Sequence, residues 1–420
     1  MSDPEALQWR PTRQDYICIA ALWLLAIGTL LCITTVFHSE IVTMSVGGRW
    51  FQSDGWRAYD DMVSFGATHY RNSVRPLFSL IAIPATSAII GVAGVRPIEA
   101  ISIFNCLCMA TWCSGIYLAC RLMGLRALEA ALAGCLAMAS AAALFWFIVP
   151  ETYALSSLCV VLAIVLAAAH VRRPIGNVWW VAVGGLLAGT VITNWMVIVV
   201  ISFVLKSRKD ALIISVASLL LMFGAWGVQK VVFPAPAAFP LKMVARERAF
   251  VLHSDQGGVS CKLAAEFISP ILAPSAHFIG EPERTGRHVS VQCADIAKAG
   301  FPYVIAVCVW LFLLAWGAWA LCRSASLHRF GLAMLVALGF QVALHLIYGE
   351  ETFLYALHFA PWLVILAAGV FLAEKKRWVI AVLATLTVFA AFNNAQQLAA
   401  ALNGPHPSNL DPRLVDRQLP

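Results

Sequence analysis

Charge is what this sequence has little of. Only 12% of its 420 residues are Asp, Glu, Lys or Arg, and 61% are hydrophobic. A soluble domain carries about 25% charged residues, so that class is excluded. Short alternating strands are also missing, which excludes an outer-membrane barrel. No low-complexity tract occurs, and no internal repeat of the kind that builds solenoids. The net charge of +7 is no nucleic-acid footprint, because most Lys and Arg sit in short clusters between apolar runs. The twelve cysteines form no CxxC…CxxC metal pattern. Cys106, Cys108, Cys113, Cys120, Cys135, Cys159 and Cys308 lie in apolar runs, where cysteine acts as a small buried residue. Cys261 and Cys293 share a polar loop and can pair if it faces an oxidising compartment.

Long apolar runs are what the chain does have. They lie at about 16–37, 76–95, 99–120, 127–149, 153–170, 178–196, 195–205, 211–232, 301–322, 330–348, 355–373 and 377–392. A crossing helix needs roughly 20 such residues, so the fold class is all-α, a polytopic transmembrane helical protein. The first run is long for a signal peptide and ends in no small-x-small site, so it reads as an uncleaved span.

Basic clusters recur at Arg10/Arg13, Arg121/Arg126, Arg172/Arg173, Lys206/Arg208/Lys209, Arg323/Arg329 and Lys375/Lys376/Arg377. The positive-inside rule assigns them all to the cytoplasm. An even number of spans must then separate successive clusters. Only the first interval is odd, with runs 16–37, 76–95 and 99–120 between Arg13 and Arg121. The run 76–95 contains Pro84 and many small residues, poor helix-interior material, and is expected to be interfacial or re-entrant. About eleven spans result, with a cytoplasmic N-terminus. Three regions follow: a module over 1–232 with an outer loop 38–98, an outer loop 233–300, and a membrane region 301–420.

The polar stretch Ser53–Pro76 follows the first span and carries the adjacent acids Asp60 and Asp61. They are either solvated interfacial acids or a general base whose pKa burial and a like charge would raise. His69, Tyr70, Arg71 and Arg75 come next. They meet lipid headgroups or fork a phosphate. Glu151 follows Pro150 with no spacer; it caps the next helix or faces a cavity. Glu350 and Glu351, with Tyr355 and His358 beyond, form a similar outer turn. Asn194 is a helix cap or a sugar contact. Lys242 and Arg246 begin a basic run in the loop 233–300, either an acceptor contact or part of a lid.

Asp60-Asp61, Arg75-Pro76-Leu77 and Pro150-Glu151-Thr152-Tyr153 together resemble the GT-C superfamily of membrane glycosyltransferases. The resemblance covers about residues 10–210, without the His-Pro-Pro-Leu form of many relatives. It implies inverting transfer of a sugar from a polyprenyl-phosphate donor to a protein, glycan or lipid acceptor. The site would face the periplasm of a bacterial inner membrane. Asp60 or Asp61 would be the base, with Glu151 orienting a substrate. Arg71, Arg75, Lys242 and Arg246 would hold the phosphate, and Glu351, Tyr355 and His358 would line the pocket. A divalent metal is compatible with the pattern but nothing requires it. Other classes remain open: a lipid or glycan transporter or flippase, a polymerase or ligase using diphosphate-linked donors, or a non-catalytic assembly subunit.

Overall fold

The computed structural model describes residues 10–46, 48–235, 251, 257–280, 288–373 and 377–404. Among them, eight helices are long and apolar enough to cross a membrane. They are Arg13–Val36, Pro97–Met123, Tyr153–Arg172, Arg208–Val232, Phe301–Arg323, His328–Ile347, Thr352–Ala373 and Arg377–Leu402. The chain is a multi-pass, all-α membrane protein. Sheet among the described residues is one antiparallel pair, His277–Ile279 with His288–Ser290. Burial sorts the helices. Thr352–Ala373 is 89% buried and runs through the centre, whereas Arg13–Val36 is 17% buried and lies at the rim. An apolar helix whose outer face meets no protein is what lipid as a solvent allows.

Hydrogen bonds tie the basic turns into one end of the bundle. Asp15 is fully buried and accepts from Arg121 Nε at 2.6 Å and from the Tyr117 hydroxyl. Arg172 Nε donates to the Leu122 carbonyl at 2.6 Å. Lys206 Nζ donates to the Ile175 carbonyl at 2.9 Å, and the Arg329 guanidinium reaches Val204 O. Arg172 and Arg329 thereby satisfy carbonyls in the last turn of a helix, Leu122 and Val204, which lipid cannot solvate.

The opposite end is held by longer-range contacts. Leu77 N donates to Gly189 O at 2.7 Å, and Ala142 N donates to Pro270 O at 2.8 Å. Asn394 Nδ2 bonds the carbonyls of Ala139 and Ile271 at 2.8 and 2.7 Å, while its Oδ1 accepts from Ala273 N at 2.8 Å. One buried amide therefore ties the helix Arg377–Leu402 to a helix end and to the loop.

Four sequence expectations change in detail. Segment 76–95 is a continuous helix, Phe78–Ala93, and Pro84 does not break it. Its start is bonded at Gly189 and its end leads through a left-handed Gly94 into Pro97. The run 127–149 is two helices, Ala127–Ala139 and Ala141–Trp146, with Ser140 capping the second. The helices Asn177–Thr190 and Trp195–Leu205 have only 14 and 11 residues, short of the roughly 20 a span needs. The last helix does not stop near 392 but continues to Leu402.

Candidate functional site

The site begins with a strained turn. Phe51 and Gln52 have φ of 48° and 56°, the left-handed region that costs non-glycine residues free energy. Packing holds them there. Trp50 Nε1 donates to Phe145 O at 3.1 Å, and the Phe51 ring sits against Phe145, Trp146 and Phe353. The chain then turns so that Asp54 precedes the helix Gly55–Val63. Gly55 is required, because a Cβ there would meet Ser45 O at 2.2 Å. Among the described residues the four non-glycine positions with positive φ are Phe51, Gln52, His69 and Cys293. Of these, Gln52 lines the cavity described next, and Phe51 is fully buried beside it.

Asp54 lines a cavity of about 100 Å³ together with Gln52, Arg71, Arg75, Glu151, Tyr153, Tyr348, Glu350, Glu351 and Tyr355. One wall is an ion-pair chain. Arg71 pairs with Asp54 Oδ2, and Arg57 NH1 lies 3.1 Å from Asp54 Oδ1. Glu151 Oε1 accepts from Asp54 N at 3.2 Å, and its Oε2 accepts from Thr152 N at 2.6 Å. Arg75 NH1 lies 3.8 Å from Glu151 Oε2, and its NH2 donates to the Tyr153 hydroxyl at 3.3 Å. Burial pushes the Glu151 carboxyl up, against the opposing charge of Arg75. At Arg75 burial works against the cation, but Tyr153, Glu151 and Asp54 outweigh it, so the guanidinium stays charged.

The turn before Thr352–Ala373 forms the other wall. Gln52 Nε2 donates across to Glu350 Oε2 at 3.1 Å. Glu351 Oε2 accepts from the Ser290 hydroxyl, and its Oε1 has no partner among the described residues. Burial pushes the Glu351 carboxyl up to about 7, with the Ser290 hydroxyl and the Phe353 backbone N–H pulling the other way. The Tyr355 ring stacks on His345 at 3.9 Å.

A disulfide joins Cys261 to Cys293, and the residues beside it grip this turn from two sides. Lys262 Nζ donates to Gly349 O at 2.8 Å. Gln292 Nε2 donates to Glu350 O at 2.8 Å and its Oε1 accepts from Thr352 N at 2.7 Å. One helical turn beyond Lys262, Glu266 is fully buried with neither carboxylate oxygen hydrogen-bonded. Burial pushes its carboxyl up to about 8, only partly offset by Lys262. Both acids thus bind a proton more tightly folded than unfolded, and stability contributed this way is present at low pH and falls as pH rises. The midpoint of thermal unfolding in detergent is expected to fall from pH 5 to pH 8. Glu266→Gln is expected to flatten that slope. An unchanged slope would mean that Glu266 titrates as it does in the unfolded chain.

Of the residues singled out in the sequence, Arg71, Arg75, Glu151, Glu350, Glu351 and Tyr355 come together in this cavity. Asp60 and Asp61 do not line it. They lie on the helix Gly55–Val63. Asp61 is buried there with Oδ1 3.1 Å from His69 Nδ1, and the His69 ring packs on Phe233 at 4.0 Å. Burial pushes the partly exposed Asp60 carboxyl up, Asp61 adds to the shift and His69 opposes it. Asn194 and His358 lie behind the tyrosines. Asn194 Nδ2 donates to Ser156 Oγ at 2.8 Å, Ser156 Oγ meets His358 Nε2 at 2.9 Å, and Gln341 Nε2 donates to Asn194 Oδ1 at 3.0 Å. This buried network braces the cavity floor. Lys242, Arg246 and the Tyr70 side chain lie outside the described residues. Asp54 and Gln52 are cavity residues the sequence did not single out, whereas Tyr153 and Tyr348 belong to the stretches around Glu151 and Glu350 that it did. The signal for Asp54 was its place before Gly55, an acid at a helix start. No group of three or more His, Cys, Asp or Glu among the described residues is arranged to hold a metal ion.

No protein-family model matches the chain, and neither a curated protein nor a solved structure matches it.

Proposed function

We propose that this protein is an inverting glycosyltransferase that moves a sugar from a polyprenyl-phosphate donor to a protein, glycan or lipid acceptor. The observation that carries the reading is the pairing of Asp54 with Arg71 in a cavity shared with Arg75. A carboxylate and two guanidiniums in one partly buried site are what sugar transfer needs. The base takes the acceptor hydroxyl proton, and the cations stabilise the negative charge on the departing phosphate. In this reading the acceptor oxygen bonds the anomeric carbon from one face. The bond from that carbon to the phosphate oxygen breaks on the other, and the electron pair leaves with polyprenyl phosphate. Asp54 replaces Asp60 and Asp61 as the base, because only Asp54 lines the cavity. Glu151 holds the Asp54 backbone and compensates Arg75.

Orientation follows from the two ends of the bundle. In this reading the chain makes about eleven passes, counting Asn177–Thr190 and Trp195–Leu205 as a short pair and leaving out Phe78–Ala93. The basic end is cytoplasmic by the positive-inside rule. The cavity then opens on the outer face of a bacterial inner membrane, where a disulfide between Cys261 and Cys293 is at home. Cysteines introduced at Gln52 and Glu350, in a background without other reactive thiols, are expected to react with an impermeant maleimide added outside. Labelling only after permeabilisation would invert this topology.

The test of the activity is chemical. Envelope glycans, glycoproteins and lipids from cells with the wild-type protein and with Asp54→Asn are compared by mass spectrometry. One sugar is expected to be missing from one acceptor in the variant. Loss of no sugar, with lipid-linked glycan translocated by purified protein in vesicles, would overturn transfer in favour of a flippase.

A further inference from the structure

The disulfide between Cys261 and Cys293 does not line the cavity built by Asp54 and the arginines, and nothing in the proposed reaction uses it. Its position is unlike that of a bridge that only closes a loop. Each cysteine is the immediate neighbour of a residue that holds the turn 349–352. Lys262, which follows Cys261, donates from Nζ to Gly349 O at 2.8 Å. Gln292, which precedes Cys293, donates to Glu350 O at 2.8 Å and accepts from Thr352 N at 2.7 Å. Ser290 donates through its hydroxyl to Glu351, and the same oxygen accepts from Gln292 N at 3.0 Å. The bridge therefore joins the two arms of one clamp.

The backbone at Cys293 depends on that bridge. Its φ is 60°, a conformation that costs a non-glycine residue free energy and persists only where the surroundings impose it. Val289 is pinned separately, its N–H donating to Arg49 O at 2.8 Å. What the bridge fixes is thus the short stretch 290–293 and not the whole strand. Gly257 lies against the bridge with φ of 110°, and a Cβ there would collide with both sulfurs.

The bridge is also within reach. Cys293 is exposed. Both cysteines line a second cavity of about 220 Å³, together with Ser260, Ala264, Ile296 and Tyr303. No charged side chain lines it, so an incoming thiolate meets no fixed negative charge. Access of a thiolate to a disulfide sulfur is what exchange requires.

We propose that Cys261–Cys293 is a thiol–disulfide exchange site for a dithiol, and that the bridge latches the turn 349–352 in place. In the exchange a thiolate of the dithiol bonds one sulfur, and the Cys261–Cys293 bond breaks with its electron pair leaving on the other cysteine. The second thiol of the reductant then displaces the first. Two electrons and two protons have passed to this chain, which holds two thiols, and the reductant has become a disulfide. With the bridge open, Cys293 leaves the left-handed region, Gln292 moves with it, and the turn loses one arm of its clamp. The cavity wall formed by Glu350 and Glu351 is complete only in the oxidised chain, whatever that cavity binds.

The test uses purified full-length protein in detergent, with dithiothreitol as the dithiol and no denaturant. Free thiols are alkylated with iodoacetamide and mapped by peptide mass spectrometry, and amide hydrogen exchange is followed in peptides covering 349–354. Cys261 and Cys293 are both expected to alkylate while the thermal unfolding transition is retained. Exchange at the Thr352 N–H, which Gln292 holds, is expected to quicken by about 10-fold or more and to slow again on reoxidation. Exchange in the remote helix Arg13–Val36 is expected to stay unchanged. Gln292→Ala in the oxidised protein is expected to reproduce the quickening, which assigns it to the clamp arm. Cys261→Ser with Cys293→Ser is expected to exchange fast with or without dithiothreitol. If the two cysteines alkylate only after denaturation, the bridge is sealed and the exchange site is wrong. If they alkylate in the folded protein and Thr352 exchanges no faster, the bridge is a brace and not a latch. Either result overturns this proposal and leaves the glycosyltransferase reading standing, because neither measurement reads sugar transfer.

Discussion

Asp54→Asn is expected to lower sugar transfer by about 1,000-fold or more, the range in which a positioned general base acts. The substitution keeps the volume and one acceptor oxygen, so one of Arg57 and Arg71, which now sit on Oδ1 and Oδ2, keeps a partner, and the partly exposed site is expected to stay folded. What it removes is the capacity to accept a proton. Asp60→Asn is expected to leave the rate within about threefold of wild type, because Asp60 stands outside the cavity and surface changes away from a site are usually near neutral. Asp61→Asn is a different case. Asp61 is 4% exposed and faces a fully buried His69, so that variant is expected to lose stability before it loses chemistry. The readout is transfer by purified protein in vesicles containing the donor, followed by mass spectrometry of the acceptor and paired with thermal unfolding of each variant. Transfer surviving in Asp54→Asn but lost in a stably folded Asp60→Asn would return the base to the helix Gly55–Val63.

Arg75→Leu is expected to cost both rate and stability, and a double substitution separates the two. Arg75 faces Glu151, which is 2% exposed, and removing one partner of a buried pair costs about 3–5 kcal/mol because the other charge is stranded. Transfer is expected to fall by about 100-fold or more, since the departing phosphate loses a cation. Removing Glu151 as well, in Arg75→Leu with Glu151→Leu, is expected to recover much of the unfolding temperature, because no uncompensated charge remains. It is not expected to recover transfer. Recovery of both would make the pair structural. Arg75→Lys keeps the charge but gives up the fork shared by Glu151 and the Tyr153 hydroxyl, so it is expected to fall between wild type and Arg75→Leu.

The membrane part of this architecture was legible because lipid imposes coarse rules. Apolar runs and basic turns alternate, and the turns at Arg121, Arg172, Lys206 and Arg329 do meet neighbouring segments at one end. The residue that enters the cavity was not legible in the same way. Asp54, Asp60 and Asp61 lie within eight positions of one another, and each is an acid beside aromatics. Which one faces inward depends on the left-handed turn at Phe51 and Gln52, and that turn is held by Phe145, Trp146 and Phe353 from two other segments. Ser290 and Gln292 were invisible for the same reason. Their partners Glu351 and Thr352 are about sixty residues away. Pro84 shows the reverse error. Its local propensity argued against a helix, and packing of Phe78–Ala93 against neighbouring helices overrode it.

The placement of Trp56 and Phe65, both exposed on the segment that carries Asp54, has a kinetic consequence. Side chains of this kind sit at the level of lipid headgroups, so under the proposed function the cavity would lie near the plane in which a lipid-anchored donor diffuses. Such a donor searches for the site in two dimensions, and anchoring alone raises its local concentration to about the millimolar range. Contacts to the headgroup then need only millimolar strength to fill the site. A tighter grip would retain the spent carrier and slow every following turnover.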